Sequence, residues 1–112
     1  MSKETEEIEV EEIGNKNDEN KLLAGLVIQD FGLALLQVSE VGTYGADKYA
    51  PKNWLLVKEG ERRYFNALMR HLLLSETEES DPDTGLSHLA HVAWNILAVV
   101  ELKERGKKEV VK

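Results

Sequence analysis

The sharpest pattern of apolar and polar positions in this chain lies at residues 84–99, TGLSHLAHVAWNILAV. Read as a helix, it is apolar or small almost all round, and its polar members His88, His91 and Asn95 fall within about 60° of one another on one stripe. A helix of that kind is usually buried, so its two imidazoles and its amide need partners: an unpaired buried polar group costs roughly 1–3 kcal/mol. The helix is predicted to start near Leu86 or Ser87 and to run to about Arg105. Gly106 supplies a stop, and Lys103 and Arg105 complement the negative helix end. Upstream, residues 22–41 are mostly apolar, but Gly25 and Gly32 weaken them as one continuous helix. The pattern predicts a helix from about Asp30 to Thr43, preceded over 22–28 by a turn of helix or a strand. Residues 44–54 (YGADKYAPKNW) read as an irregular connection in which Pro51 turns Ala50 away from helix. A further helix is predicted from about Gly60 to Ser75, with Phe65, Leu68 and Leu72 as its apolar face. Residues 75–85 read as an acidic loop carrying the turn sequence Asp81-Pro82-Asp83-Thr84-Gly85. The sum is an all-α fold, a small bundle of three to four helices, which a second copy would help to complete.

Composition and charge refine this picture. The 112 residues suit one domain. Residues 1–20 hold eight acids against two lysines and read as a flexible acidic tail, or alternatively as a short element at 8–13 that docks on a partner subunit. The folded domain is then 21–106, with a C-terminal tail at 107–112. Without that first stretch the net charge of −7 falls to −1. Residues 44–72 carry six Lys/Arg against three acids, and 75–83 carry five acids and no base. A cationic middle beside an acidic loop suits a phosphate and a divalent metal held together, whereas the overall acidity argues against long DNA or RNA. With no cysteine, disulfides and thiolate metal sites are excluded. No apolar run reaches the roughly 18 residues of a membrane span, and no secretory signal pattern is present. These features fit a cytoplasmic protein without a membrane partner.

Four groups of residues carry candidate chemistry, each beside a plainer reading. His88 and His91 stand at i and i+3, a spacing that lets neutral imidazoles share a metal; they equally suit hydrogen bonding inside the core or direct ligand contact. Arg63, Asn66 and Arg70 share a face with the small Ala67. Guanidinium forks suit phosphate oxygens, and ion pairing to Glu40, Glu59 or the acidic loop is the alternative. Arg62 belongs to solvent. In the connection, Lys48 suits a phosphate, Tyr49 or Trp54 suits stacking on a base, and Asn53 suits reading its edge; otherwise the two aromatics cap the core. In the acidic loop, Glu76, Glu78, Glu79, Asp81 and Asp83 suit a hard cation or simply solvent. Asp83 also stands where it could cap the last helix or reach His88. Trp94 reads as core.

The string Tyr44-Gly45-Ala46-Asp47-Lys48-Tyr49, then Asn53-Trp54, Arg63, Arg70-His71, Asp81-x-Asp83-x-Gly85-Leu86-x-His88-Leu89-x-His91 and Asn95 resembles the N-terminal domain family of phage dATP/dGTP diphosphohydrolases, relatives of MazG-like nucleotide pyrophosphohydrolases. The resemblance spans about residues 33–101. It implies a MazG-like all-α nucleotide-binding domain of phage or prokaryotic source, a purine deoxynucleoside triphosphate ligand and Mg²⁺ or Mn²⁺. The implied reaction is attack of water at the α-phosphorus, releasing pyrophosphate and a monophosphate. On that basis Lys48, Tyr49, Asn53, Trp54, Arg63, Arg70 and Asn95 contact substrate, Lys48, Arg63 and Arg70 through its phosphates. Glu79, Asp81 and Asp83 hold metal, and His71, His88 or His91 orients or deprotonates the attacking water. The broader MazG-like enzymes carry paired Glu-x-x-Glu and Glu-x-x-Asp motifs, and no such pair stands on the core helices here. The function the resemblance implies is nonetheless a metal-dependent nucleoside triphosphate pyrophosphohydrolase acting on purine deoxynucleotides. One alternative is a non-catalytic phage sponge that sequesters a host cyclic-nucleotide or ADP-ribose-type immune signal. Another is an interaction bundle whose polar stripe is structural. A homo-oligomer is expected in each case.

Overall fold

The computed structural model describes residues 14–111, with side chains to residue 108. The docked alternative at 8–13 and most of the acidic tail lie outside the described residues. The fold is all-α. Helix α1 is Ala24–Asp30, α2 is Gly32–Lys48, α3 is Gly60–Leu74 and α4 is His88–Val111, with a short 3₁₀ turn at Asn53–Leu56. Among the described residues the only β feature is an isolated antiparallel bridge between Ser80 and Ser87.

The apolar stretch at 22–41 does break at its second glycine. Helices α1 and α2 meet at 88° around Phe31, whose N–H still donates to the Val27 carbonyl (3.1 Å). Helix α2 then runs past Thr43, through Gly42 and Gly45, to Lys48, so Tyr44, Gly45 and Lys48 belong to a helix and not to an irregular connection. Nothing opposes the i to i−4 ladder until Pro51, which biases Ala50 away from the helical region. Gly42 has a specific reason to lack a side chain. A Cβ there would lie 3.3 Å from Nε1 of Trp94 on α4, so glycine is what allows the two helices to approach.

The principal packing is α3 against α4, with α2 laid across α4. Val41, Leu68, Ala90, Ala98 and Val99 form the buried apolar core, and His88, His91 and Asn95 are buried beside them. Trp54, Tyr64 and Trp94 meet edge to face, with ring centroids 5.5–6.2 Å apart, a favoured aromatic geometry. The Tyr64 hydroxyl donates to the Trp54 carbonyl at 2.7 Å, which ties the 3₁₀ turn onto α3. Two expectations need correcting. Gly106 does not stop α4, which continues to Val111, so residues 107–111 are helical and not a tail. A glycine ends a helix by entering the left-handed region, and Gly106 is not among the residues with positive φ. Of the three apolar residues placed on one face of α3, only Leu68 is buried; Phe65 and Leu72 are 48% and 42% exposed. No single helix among the described residues is long and apolar enough to cross a membrane.

Candidate functional site

The site is built on the α3–loop–α4 passage. After α3, the chain turns back on itself: the Asp81 N–H donates to the Leu86 carbonyl (2.8 Å), and the Gly85 N–H donates to the Asp81 carbonyl (2.7 Å). Gly85 adopts φ +74°, a conformation glycine takes without steric cost. The same fold-back leads the His88 N–H to the Glu79 carbonyl (2.9 Å). The Ser87 hydroxyl accepts the Ala90 N–H (3.2 Å) and so caps α4. Asp83 does not cap the helix; its own N–H donates to Asp81 Oδ1 at 2.7 Å.

This loop geometry sets four side chains against one another. His71, from α3, stacks on His91, from α4, with ring centroids 4.3 Å apart and planes within 5°. His71 Nδ1 lies 2.9 Å from His88 Nδ1 and 3.7 Å from Asp81 Oδ2. His88 is completely buried, and its Nε2 lies 3.0 Å from Glu78 Oε1. His91 Nε2 is hydrogen-bonded with the Thr84 hydroxyl at 2.9 Å, and that hydroxyl also accepts the Leu86 N–H at 3.2 Å. One turn further along α4, Asn95 donates from Nδ2 to the His91 carbonyl (2.7 Å). Each imidazole of the stripe thus has a partner, as burial requires.

The electrostatics follow from this crowding. Burial is the main cause that lowers the His71 pKa, and neighbouring His91 adds to it against the opposing pull of Asp81. Burial likewise lowers that of His91. Both rings are therefore neutral near pH 7 and have a lone pair to offer. Burial acts against the Asp81 carboxylate, but the Asp83 and Thr84 backbone N–H groups and the two imidazoles outweigh it and hold its pKa below the ordinary value. His71, Asp81 and His88 present ligand atoms that all lie within 4.8 Å of one another. Two imidazoles and an ionised carboxylate form a donor set that fits a divalent cation.

In front of this cluster opens a cleft of about 1030 Å³. It is walled by the last turn of α2, the connection, α3, the acidic loop and α4. Lys48, Tyr49, Asn53, Trp54, Arg63, Arg70 and Asn95 all line it, as do His71, His91, Asp81 and Asp83. Among the described residues, Lys48, Arg63 and Arg70 make no ion pair. The pairing of Arg63 and Arg70 with Glu40, Glu59 or the loop, open from the sequence, is therefore not what the fold uses. Glu59 pairs instead with the exposed Arg62 (3.3 Å). Three unneutralised cations on one cleft form an anion-binding surface. Of the residues to which the family resemblance gives a site role, two stand apart from the cleft. His88 lies behind His71, and Glu79 contributes its backbone carbonyl to His88 while its side chain is exposed. The fold adds partners that the sequence pattern does not mark. Thr84 reads as a turn residue yet holds His91, and Glu78 reads as one acid among five yet holds His88.

A family model described as dATP/dGTP diphosphohydrolase, N-terminal, matches residues 11–111 of the chain. No curated protein and no solved structure matches it.

Proposed function

The chain belongs to the dATP/dGTP diphosphohydrolase N-terminal domain family, and from that premise we propose that it hydrolyses purine deoxynucleoside triphosphates to monophosphate and pyrophosphate with the help of Mg²⁺ or Mn²⁺. The observation that carries this reading is the convergence of unpaired Lys48, Arg63 and Arg70 on a cleft whose floor holds His71, His91 and Asp81. A triphosphate needs its charge neutralised before water can attack it, and fixed cations supply that without reorganisation. A divalent ion, when bound, neutralises further phosphate charge and acidifies a bound water. Lys48, Arg63 and Arg70 clamp phosphate oxygens. Tyr49 and Trp54 offer faces for a purine, and Asn53 and Asn95 offer polar edges. His71 orients the attacking water and His91 accepts its proton, both rings being neutral at pH 7, while His88 acts through His71.

The test is direct. Purified protein with Mn²⁺ or Mg²⁺ should release pyrophosphate from dGTP or dATP, and Asp81→Asn should abolish release. Complete stability of every deoxynucleotide would reject hydrolysis. A second reading, a nucleotide-sequestering protein, is favoured by the closure of the polar network: His88 and His91 are already bonded to His71, Glu78 and Thr84. Such a protein, acting as a phage sponge for a cyclic-nucleotide or ADP-ribose-type signal, would return its ligand intact after heating.

A homo-oligomer belongs to the same proposal. The apolar core of one copy is small, while Leu22, Leu33 and Leu36 near α1 and α2 and Leu73, Leu89 and Leu97 on α3 and α4 remain 54–95% exposed. Large apolar side chains left this exposed on four helices favour a contact surface, and a second copy is the partner present wherever the chain is made. Light scattering on a sizing column should give at least a dimer at micromolar concentration, and a monodisperse monomer would refute it.

A further inference from the structure

We propose that His71, Asp81 and His88 form a nitrogen-rich metal site that takes a first-row transition ion in preference to Mg²⁺, with Glu78 as the positioning residue that holds His88 in the tautomer the ion requires. His88 is wholly buried, and both its ring nitrogens are committed to partners. A carboxylate can only accept, so the Glu78 contact at 3.0 Å places the ring proton on Nε2. The lone pair of Nδ1 then faces His71 Nδ1, 2.9 Å away. One proton fits between the two nitrogens. It comes from His71, and it is the proton a cation would displace to Nε2 of the same ring.

Three features make this more than a hydrogen bond between histidines. First, the spacing is that of two ligands on one ion. Nitrogens bound at about 2.1 Å lie about 3.0 Å apart when they subtend a right angle and about 3.4 Å apart in a tetrahedron, and 2.9 Å matches the former. Second, a third donor is poised. Asp81 Oδ2 lies 3.7 Å from the same His71 nitrogen, while its other oxygen is engaged by the Asp83 N–H, so the carboxylate has one oxygen to give and an anchor for the other. Third, the outer partner is present. A carboxylate on the far nitrogen of a ligating histidine raises its basicity and fixes its plane, and removing such a partner typically weakens metal binding about 10–100-fold.

The donor chemistry then decides the ion. Mg²⁺ takes oxygen ligands and keeps much of its water. Two imidazoles with one carboxylate favour Mn²⁺, Fe²⁺, Co²⁺ or Ni²⁺ and leave coordination positions open. His71 and Asp81 both line the cleft and are only partly buried, so two of the three ligands border the space where phosphates would lie.

The experiment reads metal binding alone, so it succeeds or fails separately from hydrolysis. Full-length chain stripped with chelator is titrated with Co²⁺ by calorimetry and visible absorption, and with Mg²⁺ in parallel. One Co²⁺ per chain should bind at micromolar concentrations, with the weak bands of a six-coordinate ion, and Mg²⁺ at the same concentrations should not. Asp81→Asn should weaken Co²⁺ binding at least tenfold, and Glu78→Gln about tenfold or more while both variants keep the wild-type circular dichroism. These two residues lie outside the buried core, so their variants remain informative where a His88 variant fails to fold. Absence of stoichiometric Co²⁺ binding, equal affinity for Mg²⁺, or unaltered Co²⁺ affinity in both variants would overturn the proposal.

Discussion

Thr84 offers the most direct measurement of how the polar centre is held. Its hydroxyl is bonded with His91 Nε2 (2.9 Å) and accepts the Leu86 N–H (3.2 Å). Thr84→Val removes that hydroxyl while keeping the shape of the side chain, so both partners lose their bond and no cavity forms. An unsatisfied group costs roughly 1–3 kcal/mol when fully buried. His91 is 8% exposed and takes most of that cost, whereas the half-buried Leu86 amide recovers part of its own from water. The loss should total about 2 kcal/mol. With a urea dependence of about 1–3 kcal/mol per molar for a small domain, the unfolding midpoint should fall by about 1 M at an unchanged slope. Thr84→Ser retains the hydroxyl and should stay within about 1 kcal/mol of wild type. A Val variant whose midpoint matches that of wild type would show that the bond to His91 carries no weight, and with it the idea that the loop positions the imidazoles.

Other expectations are as specific. Arg70→Ala removes a charge-assisted donor worth roughly 1.5–3 kcal/mol, so calorimetry with a non-hydrolysable dGTP analogue should show affinity falling at least tenfold; unchanged affinity would remove Arg70 from the clamp. His71 and His91 have folded pKa values below the ordinary imidazole value, so the unfolded chain takes up protons first as pH drops. Stability of the chelator-treated protein should therefore be complete above about pH 6.5 and be lost as pH falls through the folded values, and a urea midpoint equal at pH 7.5 and 5.5 would contradict this. Gly42→Leu forces a side chain into the position where a Cβ already meets the Trp94 indole at 3.3 Å. It should cost about 1–3 kcal/mol and shift tryptophan emission; a spectrum and midpoint like those of wild type would argue against the close approach.

Much of the architecture is readable in residue order because it depends on local periodicity. The stripe of His88, His91 and Asn95 is set by helical spacing alone, and all three are buried as that spacing implies. Arg63 and Arg70 reach the same cleft because seven residues make two turns. What the order of residues conceals is tertiary. Thr84 and Glu78 sit in a loop whose path is determined by the Asp81–Leu86 and His88–Glu79 backbone bonds, and no periodicity announces a fold-back. The length of α2 is concealed for a related reason. Two glycines look like punctuation, yet Gly42 serves close packing on Trp94. The pattern also marks Phe65 and Leu72 as apolar without stating what covers them, and the described residues leave each nearly half exposed.

All the imidazoles and carboxylates at the centre come from residues 71–91, a single passage from one helix through a loop into the next. Contacts so near in sequence close with little loss of chain entropy, and folds dominated by them form fast. The polar heart can thus assemble while the first two helices are still searching for their seats. Those helices supply none of its imidazoles or carboxylates, so a change in the length of α1 leaves the constellation's own bonds in place.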